Sequence, residues 1–351
     1  MAAVKPPPDR DHHAFTQRVE RERLVPLWNF FNDWFTPAPR VDAKPYLWHY
    51  DGLRSHLLES ATVISAREAE RRVLVLENPG LIGKHLITDT LYAGLQLITP
   101  GELAPAHRHT PVALRFVIEG QGGYTAVAGE RTWMEPGDFI VTPSWAWHDH
   151  GHEGTGPVVW LDVLDVPLIR FLGANFTEHY PEERFPEGPP VNDSLYRYGT
   201  NMRPIGYTRE ALASPIFSYP YARTREALEQ LKRGSEWDPC HGLKMEFIDP
   251  TSGRPAIPTI STFMQLLPRG FQTKPYRSTE GSVFCVAEGA GSVTIGEGQS
   301  ARTFGFTKRD IFAVPSWHPY TLEARDESVL FSASDRTVQS KLGVWREQRQ
   351  P

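Results

Sequence analysis

Three histidines, His107, His109 and His148, are spaced so that their side chains could converge on one metal ion. Residues two apart on a strand point to the same face, so His107 and His109 offer adjacent imidazoles, and His148 can arrive from a neighbouring strand. Neutral imidazole is the commonest protein ligand for a metal. A lone histidine is more often a hydrogen-bonded core residue or a surface one. That simpler explanation would here have to account for all three spacings, for Gly101 six residues before His107, and for Gly137 and Pro143 ahead of His148.

The residues around the triad suit an acidic ligand. Gln96 shares a strand face with Tyr92 and Gly94, and a glutamine on an otherwise apolar strand needs a polar partner. Arg115 lies between Leu114 and Phe116, where a guanidinium is either paired with a structural acid or placed to receive a carboxylate in its fork. His150 shares the face of His148 and could hold a substrate hydroxyl or dioxygen, or be a supporting or surface histidine; the supporting or surface role is favoured for His152. Asp162, on an apolar strand, is suited to orient a histidine, and Asp165 equally so.

The elements that must position these groups are short. The chain has 351 residues, 31 prolines and 28 glycines, a composition that favours turns and short strands over long helices and leaves room for two cores. Helical spacing of Leu24, Leu27, Phe30, Phe31 and Trp34 predicts an amphipathic helix from Phe15 to Phe35, a candidate subunit contact or a cover for its own barrel, and a second helix is expected over Ser55 to Arg72. From Leu91 to Trp160 short β-rich runs alternate with turn signals, as in a sandwich or barrel. A helical piece is expected at Thr224 to Leu231, and strands return from Thr259 to Ser334.

The second half repeats the first. Gly101 and His107 recur as Gly270 and Tyr276, Phe116 recurs as Phe284 or Cys285, and Asp138, Pro143 and Trp145 recur as Asp310, Pro315 and Trp317. The triad positions become Tyr276, Ser278 and Tyr320, a poor set for a soft divalent metal, so the second unit is expected to be metal-free and structural, with a shallow binding role as the alternative.

A net charge of -5 provides no footprint for nucleic acid, and no run approaches the roughly 18 apolar residues that span a bilayer. With no secretory signal and only Cys240 and Cys285, unpaired by context, the expected location is cytoplasmic.

The Gly101, His107, His109 and Gly137, Pro143, His148 pattern resembles the two-part cupin signature. Many cupins add a glutamate four or five residues after the second histidine. Here Ala113 and Leu114 stand there, leaving a three-histidine site. Neutral ligands leave the full double charge on a divalent ion, against about +1 with one carboxylate, and so favour a substrate chelating through carboxylate and phenolate. Ligand type alone does not choose iron over nickel, copper or zinc.

The segments 106–110, 113–116, 147–151 and 160–162, with Glu77-Asn78-Pro79, Tyr198-Gly199 and Val314-Pro315-Ser316-Trp317, resemble the gentisate 1,2-dioxygenases and their salicylate and 1-hydroxy-2-naphthoate relatives over most of the chain after about Arg71. The resemblance implies an all-β bicupin with an N-terminal helical extension (1–90), a metal-binding cupin (91–170), a linker with short helices (171–256) and a degenerate second cupin (257–351). It implies one Fe(II) on His107, His109 and His148, dioxygen as co-substrate, and a homotetramer acting on an aromatic hydroxy-acid. It further implies that Gln96 and Arg115 receive the carboxylate, aided by Arg71 or Arg72 with Arg71 favoured, and that His150 contacts the hydroxyl or oxygen. Gentisate would open to maleylpyruvate. Salicylate or 1-hydroxy-2-naphthoate, or a non-catalytic acid-binding role, are the alternatives.

Overall fold

The computed structural model describes residues 11–208, 212–234 and 236–350. Residues 11–40 form one unit and 41–350 a second.

In the first unit the expected single helix is divided. A helix His12–Arg21, capped by Asp11, which accepts from the Ala14 amide at 2.9 Å, is followed by a 3₁₀ turn Leu27–Asn29 and a short helix Phe31–Trp34. Arg23 takes a left-handed φ of 62°, and Pro26 lacks an amide proton and disfavours helical backbone at Val25, which breaks the run.

The second unit contains two barrels of paired sheets. In the first barrel a six-stranded sheet carries Phe139–Thr142, Ala113–Glu119, Val158–Leu164 and Tyr92–Ile98, and a five-stranded sheet carries Leu103–His109, His148–His152, Gly123–Val127 and Glu130–Trp133. The second barrel repeats this plan with Ile311–Val314, Ser282–Glu288, Ser328–Ser334 and Ser261–Leu267 in one sheet, and Tyr276–Ser278, Tyr320–Ala324, Ala290–Ile295 and Arg302–Thr307 in the other. Register resolves the ambiguous repeat position: Phe116 lies opposite Phe139 and Leu161, and Cys285 opposite Ile311 and Phe331, so Phe116 matches Cys285 and Arg115 matches Phe284.

The duplicated unit is larger than a barrel. Two 14-residue helices, Tyr50–Val63 and Tyr221–Gly234, each begin at a tyrosine whose amide donates to the repeated aspartate: Tyr50 to Asp310 at 2.9 Å and Tyr221 to Asp138 at 2.8 Å. A carboxylate there satisfies an orphan amide and complements the helix dipole. Each helix is preceded by a strand in one barrel and followed by a strand in the other. Tyr46–Trp48 pairs with the second barrel and Val73–Val75 with the first; Ser218–Tyr219 pairs with the first and Leu243–Glu246 with the second. Segments 46–90 and 218–256 thus supply barrel strands, where a helical extension and a linker were expected. The helix expected over Ser55 to Arg72 starts earlier, on the Asp310 cap, and ends at Val63, where Ile64 is extended.

The sheet faces opposite the barrel interiors share one apolar core. Phe116 and Phe331 stack with centroids 4.4 Å apart, and Phe139, Met264, Cys285 and Ile311 are buried beside them. Replacing Phe331 with leucine should lower unfolding stability by about 1–2 kcal/mol through lost area and ring contact, read from the urea midpoint at unchanged m-value.

Candidate metal centre

His107 and His109 project from Leu103–His109 on one face, and His148, opening its own strand, lies directly opposite His107 in the ladder. A register irregularity between Ala104 and His107 bends the strand just before the pair. Ring centroids are 5.3 Å apart for His107 and His109, 4.4 Å for His107 and His148, and 4.9 Å for His109 and His148. One nitrogen from each lies within 4.8 Å of the others, the single such group among the described residues.

Two backbone carbonyls aim these rings. The His109 Nδ1–H donates to Pro111 O at 2.8 Å and the His148 Nδ1–H to Ala146 O at 3.0 Å, which turns both Nε2 lone pairs inward. His148 Nε2 is buried with no hydrogen-bond partner among the described residues, the condition of a ligand nitrogen. Burial, with Arg71 and His109 adding to it, holds His107 far below the ordinary imidazole range; burial brings His109 down to about 4 and His148 well below its usual value. Neutral rings able to donate lone pairs are what a divalent cation requires, and the residues fit one.

The same depression has a thermodynamic consequence in chelator-treated chain. Below pH 6.5 the unfolded state gains a proton at His109 that the folded state refuses until about pH 4, so stability falls as pH falls through that window. The expected loss from His109 alone between pH 7 and pH 5 is about 2 kcal/mol, with His107 and His148 acting in the same direction. Urea unfolding at the two pH values measures it.

Arg115 is 3% exposed and closely held. Its Nη1 donates to Thr142 Oγ1 at 2.5 Å, its Nη2 to His150 Nε2 at 3.2 Å, and its Nε lies 3.5 Å from Asp162 Oδ1, an ion pair without a hydrogen bond. Both sequence alternatives for this arginine therefore coexist: an acid balances it, and N–H groups remain for another acceptor. Because arginine only donates, His150 Nε2 must accept, so its Nδ1 carries the proton and donates to Thr125 Oγ1 at 3.0 Å; that hydroxyl in turn points at Met134 Sδ. His150 is fully buried, its ring 6.0 Å from that of His148, and both its nitrogens are engaged within the chain.

Asp162 does not orient a histidine. It accepts from Trp160 Nε1 at 3.0 Å and faces Arg115, and burial raises its carboxyl to about 6 against the pull of that guanidinium. Asp165 accepts from the Val112 amide and the Thr259 hydroxyl, a structural role that ties the barrels together. His152 is likewise structural, bonded to Gly156 O and the Gly154 amide, and is buried, not on the surface.

The two candidate arginines separate cleanly. Arg72 pairs with Glu102 through both terminal nitrogens and also donates to Ile64 O. Arg71 donates to Glu70 O at 2.8 Å, its Nη2 is buried without a partner among the described residues, and burial beside Arg115 lowers it to about 9. Gln96 is 3% exposed, in register between Val73 and Trp160. At Gly94 a β-carbon would meet Val73 at 2.4 Å and the Tyr92 hydroxyl at 3.1 Å, so the missing side chain lets Tyr92 lie along its strand beside Asp162.

The orienting carbonyls of Pro111 and Ala146 and the hydroxyls of Thr125 and Thr142 carried no sequence signal. Backbone acceptors are invisible to residue type, and threonine is ordinary in strands.

Residues 94–164 match the family model described as cupin domain. The chain is 50% identical over 345 residues, 98% of each chain, to gentisate 1,2 dioxygenase 1 of Aquipseudomonas alcaligenes. It is 32% identical to the 5-aminosalicylate 1,2-dioxygenase of Comamonas sp, covering 96% of this chain and 90% of that one. The crystal structure of salicylate 1,2-dioxygenase from Pseudoaminobacter salicylatoxidans in its gentisate adduct superposes with a TM-score of 0.91 at 31% identity, covering 99% and 96% of the two chains.

Proposed function

The chain belongs to the gentisate 1,2-dioxygenase family of bicupin oxidoreductases, and from that premise we propose that it opens the ring of gentisate between the carboxyl-bearing carbon and its hydroxylated neighbour, giving maleylpyruvate. The observation that carries the reading is the pairing of three inward-facing neutral imidazoles with two guanidiniums that retain unused donors, Arg115 buried and Arg71 half-buried with its Nη2 enclosed. Iron(II) held by His107, His109 and His148 would supply an open coordination site for chelating oxygens and the redox chemistry that activates dioxygen.

The remaining steps belong to the chain. Arg115 and Arg71, with Gln96, receive the substrate carboxylate and fix the ring against the triad. Neutralising those two cations removes the positive field that, after burial itself, keeps His150 unprotonated. As Arg115 turns to the carboxylate, His150 Nε2 is released to accept the proton of the ring hydroxyl. Asp162 and Thr142 hold Arg115 throughout, and Thr125 keeps the His150 tautomer.

The reading includes a homotetramer, supported by the apolar exposure of residues 11–40, where Trp28 is 62% and Trp34 72% exposed. It places the chain in the cytoplasm, in keeping with two buried free cysteines, Cys240 and Cys285; no helix among the described residues is long and apolar enough to cross a membrane. Steady-state rates on gentisate, salicylate and 1-hydroxy-2-naphthoate test the substrate. Gentisate should give the highest kcat/KM, and a higher value for salicylate would assign the chain to the other branch of its family.

A further inference from the structure

The second barrel has lost the metal ligands and packs most of its interior with apolar side chains, among them Tyr276, Phe284, Phe312 and Tyr320, but keeps a group of polar side chains along one wall. Tyr276 and Tyr320 face each other where histidines stand in the first barrel, with ring centroids 5.8 Å apart. Phe284 replaces Arg115 and Ser332 replaces Asp162 in the same ladder positions. Gln96, however, has a direct counterpart in Gln265, and opposite Gln265 the neighbouring strand presents Lys244 where the first barrel has Val73. Residues directly opposite on adjacent strands project to one face, so the lysine and the glutamine look into the barrel together.

These groups lack partners. Gln265 is fully buried; its Nε2 donates to His241 O at 2.6 Å, which fixes the amide orientation and leaves Oε1 an acceptor with no donor among the described residues. His241 Nδ1 and Ser332 Oγ are buried and unpartnered in the same way. Lys244 and Arg336 each lie over the Phe263 ring, 4.4 and 5.8 Å from its centroid, and Arg336 also lies over the Trp345 ring. Neither forms an ion pair among the described residues. Glu280, the buried carboxylate nearby, is taken up by the hydroxyls of Ser278 and Ser334, and Asp238 by Arg349 at 2.6 Å. Burial lowers the Lys244 ammonium to about 8 despite Glu280. Beside that apolar packing, the unpartnered buried Gln265 Oε1 and Ser332 Oγ cost stability that a barrel kept only for support would avoid.

We propose that this polar wall of the second barrel is a binding site for a small hydroxy-dicarboxylate, its carboxylates on Lys244 and Arg336 and its hydroxyl donating to Gln265 Oε1. Two cations over one ring can take two anionic ends, and the unfilled glutamine acceptor calls for a donor. The claim concerns residues distinct from those assigned to ring opening and stands or falls apart from it.

Calorimetric titration of the full chain with L-malate tests the proposal. Saturable binding is expected in the wild-type chain, weakened at least tenfold in Lys244→Met and in Gln265→Met, and retained in Arg115→Met, while both second-barrel variants keep wild-type turnover measured without malate. Either second-barrel variant suffices if the other does not fold. Absence of saturable heat in the wild-type chain would overturn the proposal, as would binding that survives Lys244→Met and Gln265→Met or that disappears with Arg115→Met.

Discussion

Changing His109 to alanine should leave the chain folded but unable to retain its metal, and should lower turnover by more than about 100-fold, the upper end of what losing a mere outer-shell partner of a metal ligand costs. Two neutral nitrogens cannot replace three. His107 and His148 would remain facing each other across the strand pair, but the third donor, aimed by Pro111 O, would be gone. Because the imidazole is neutral in the fold, its removal leaves no unpaired charge, and the apo chain should be no less stable than metal-stripped wild type at neutral pH. Metal content by elemental analysis beside the specific activity checks both parts. Near-stoichiometric metal in His109→Ala would show that the triad is not the site.

Arg115→Met should act on two quantities at once. The guanidinium balances Asp162, itself 5% exposed, and donates to Thr142 and His150. Removing one member of a buried pair costs about 3 kcal/mol of unfolding stability, moderated here because Asp162, already raised to about 6, can take up a proton. If Arg115 also receives the substrate carboxylate, kcat/KM falls about 10- to 100-fold, mainly through KM, as loss of a charge-assisted hydrogen bond predicts. Arg115→Lys should recover charge but not the fork geometry, and so restore only part of the KM. A variant that loses stability with its KM unchanged would make Arg115 purely structural.

Most of the triad was legible in the sequence because strand periodicity converts spacing directly into direction: His107 and His109 share a face by being two apart, whatever else the fold does. The internal repeat was legible at glycines and at the aspartate, proline and tryptophan of its turns, where backbone geometry constrains residue type; Gly101 and Gly270 share a φ of 78°, and Trp145 and Trp317 take φ of 64° and 60°. It was not legible in the helices Tyr50–Val63 and Tyr221–Gly234, whose solvent faces are free to diverge, so the leading part of each repeat read as an extension or a linker. The assignment of Asp162 failed for a related reason. A buried carboxylate announces that it needs a partner, but whether that partner is a histidine or an arginine depends on register, which places Asp162 opposite Arg115. The family resemblance alone favours Arg71 over Arg72; the physical reason lies in Glu102, which occupies Arg72, while the Arg71 charge acts on His107.

The most direct measurement is oxygen uptake by the iron(II)-reconstituted chain on addition of gentisate, followed together with the absorbance of the ring-opened product. One dioxygen consumed per gentisate, with product formed in step and both signals absent in His109→Ala, is the predicted result. A chain that holds its metal yet consumes no oxygen with gentisate, or that consumes it equally without His109, would contradict the assignment of this first-barrel site.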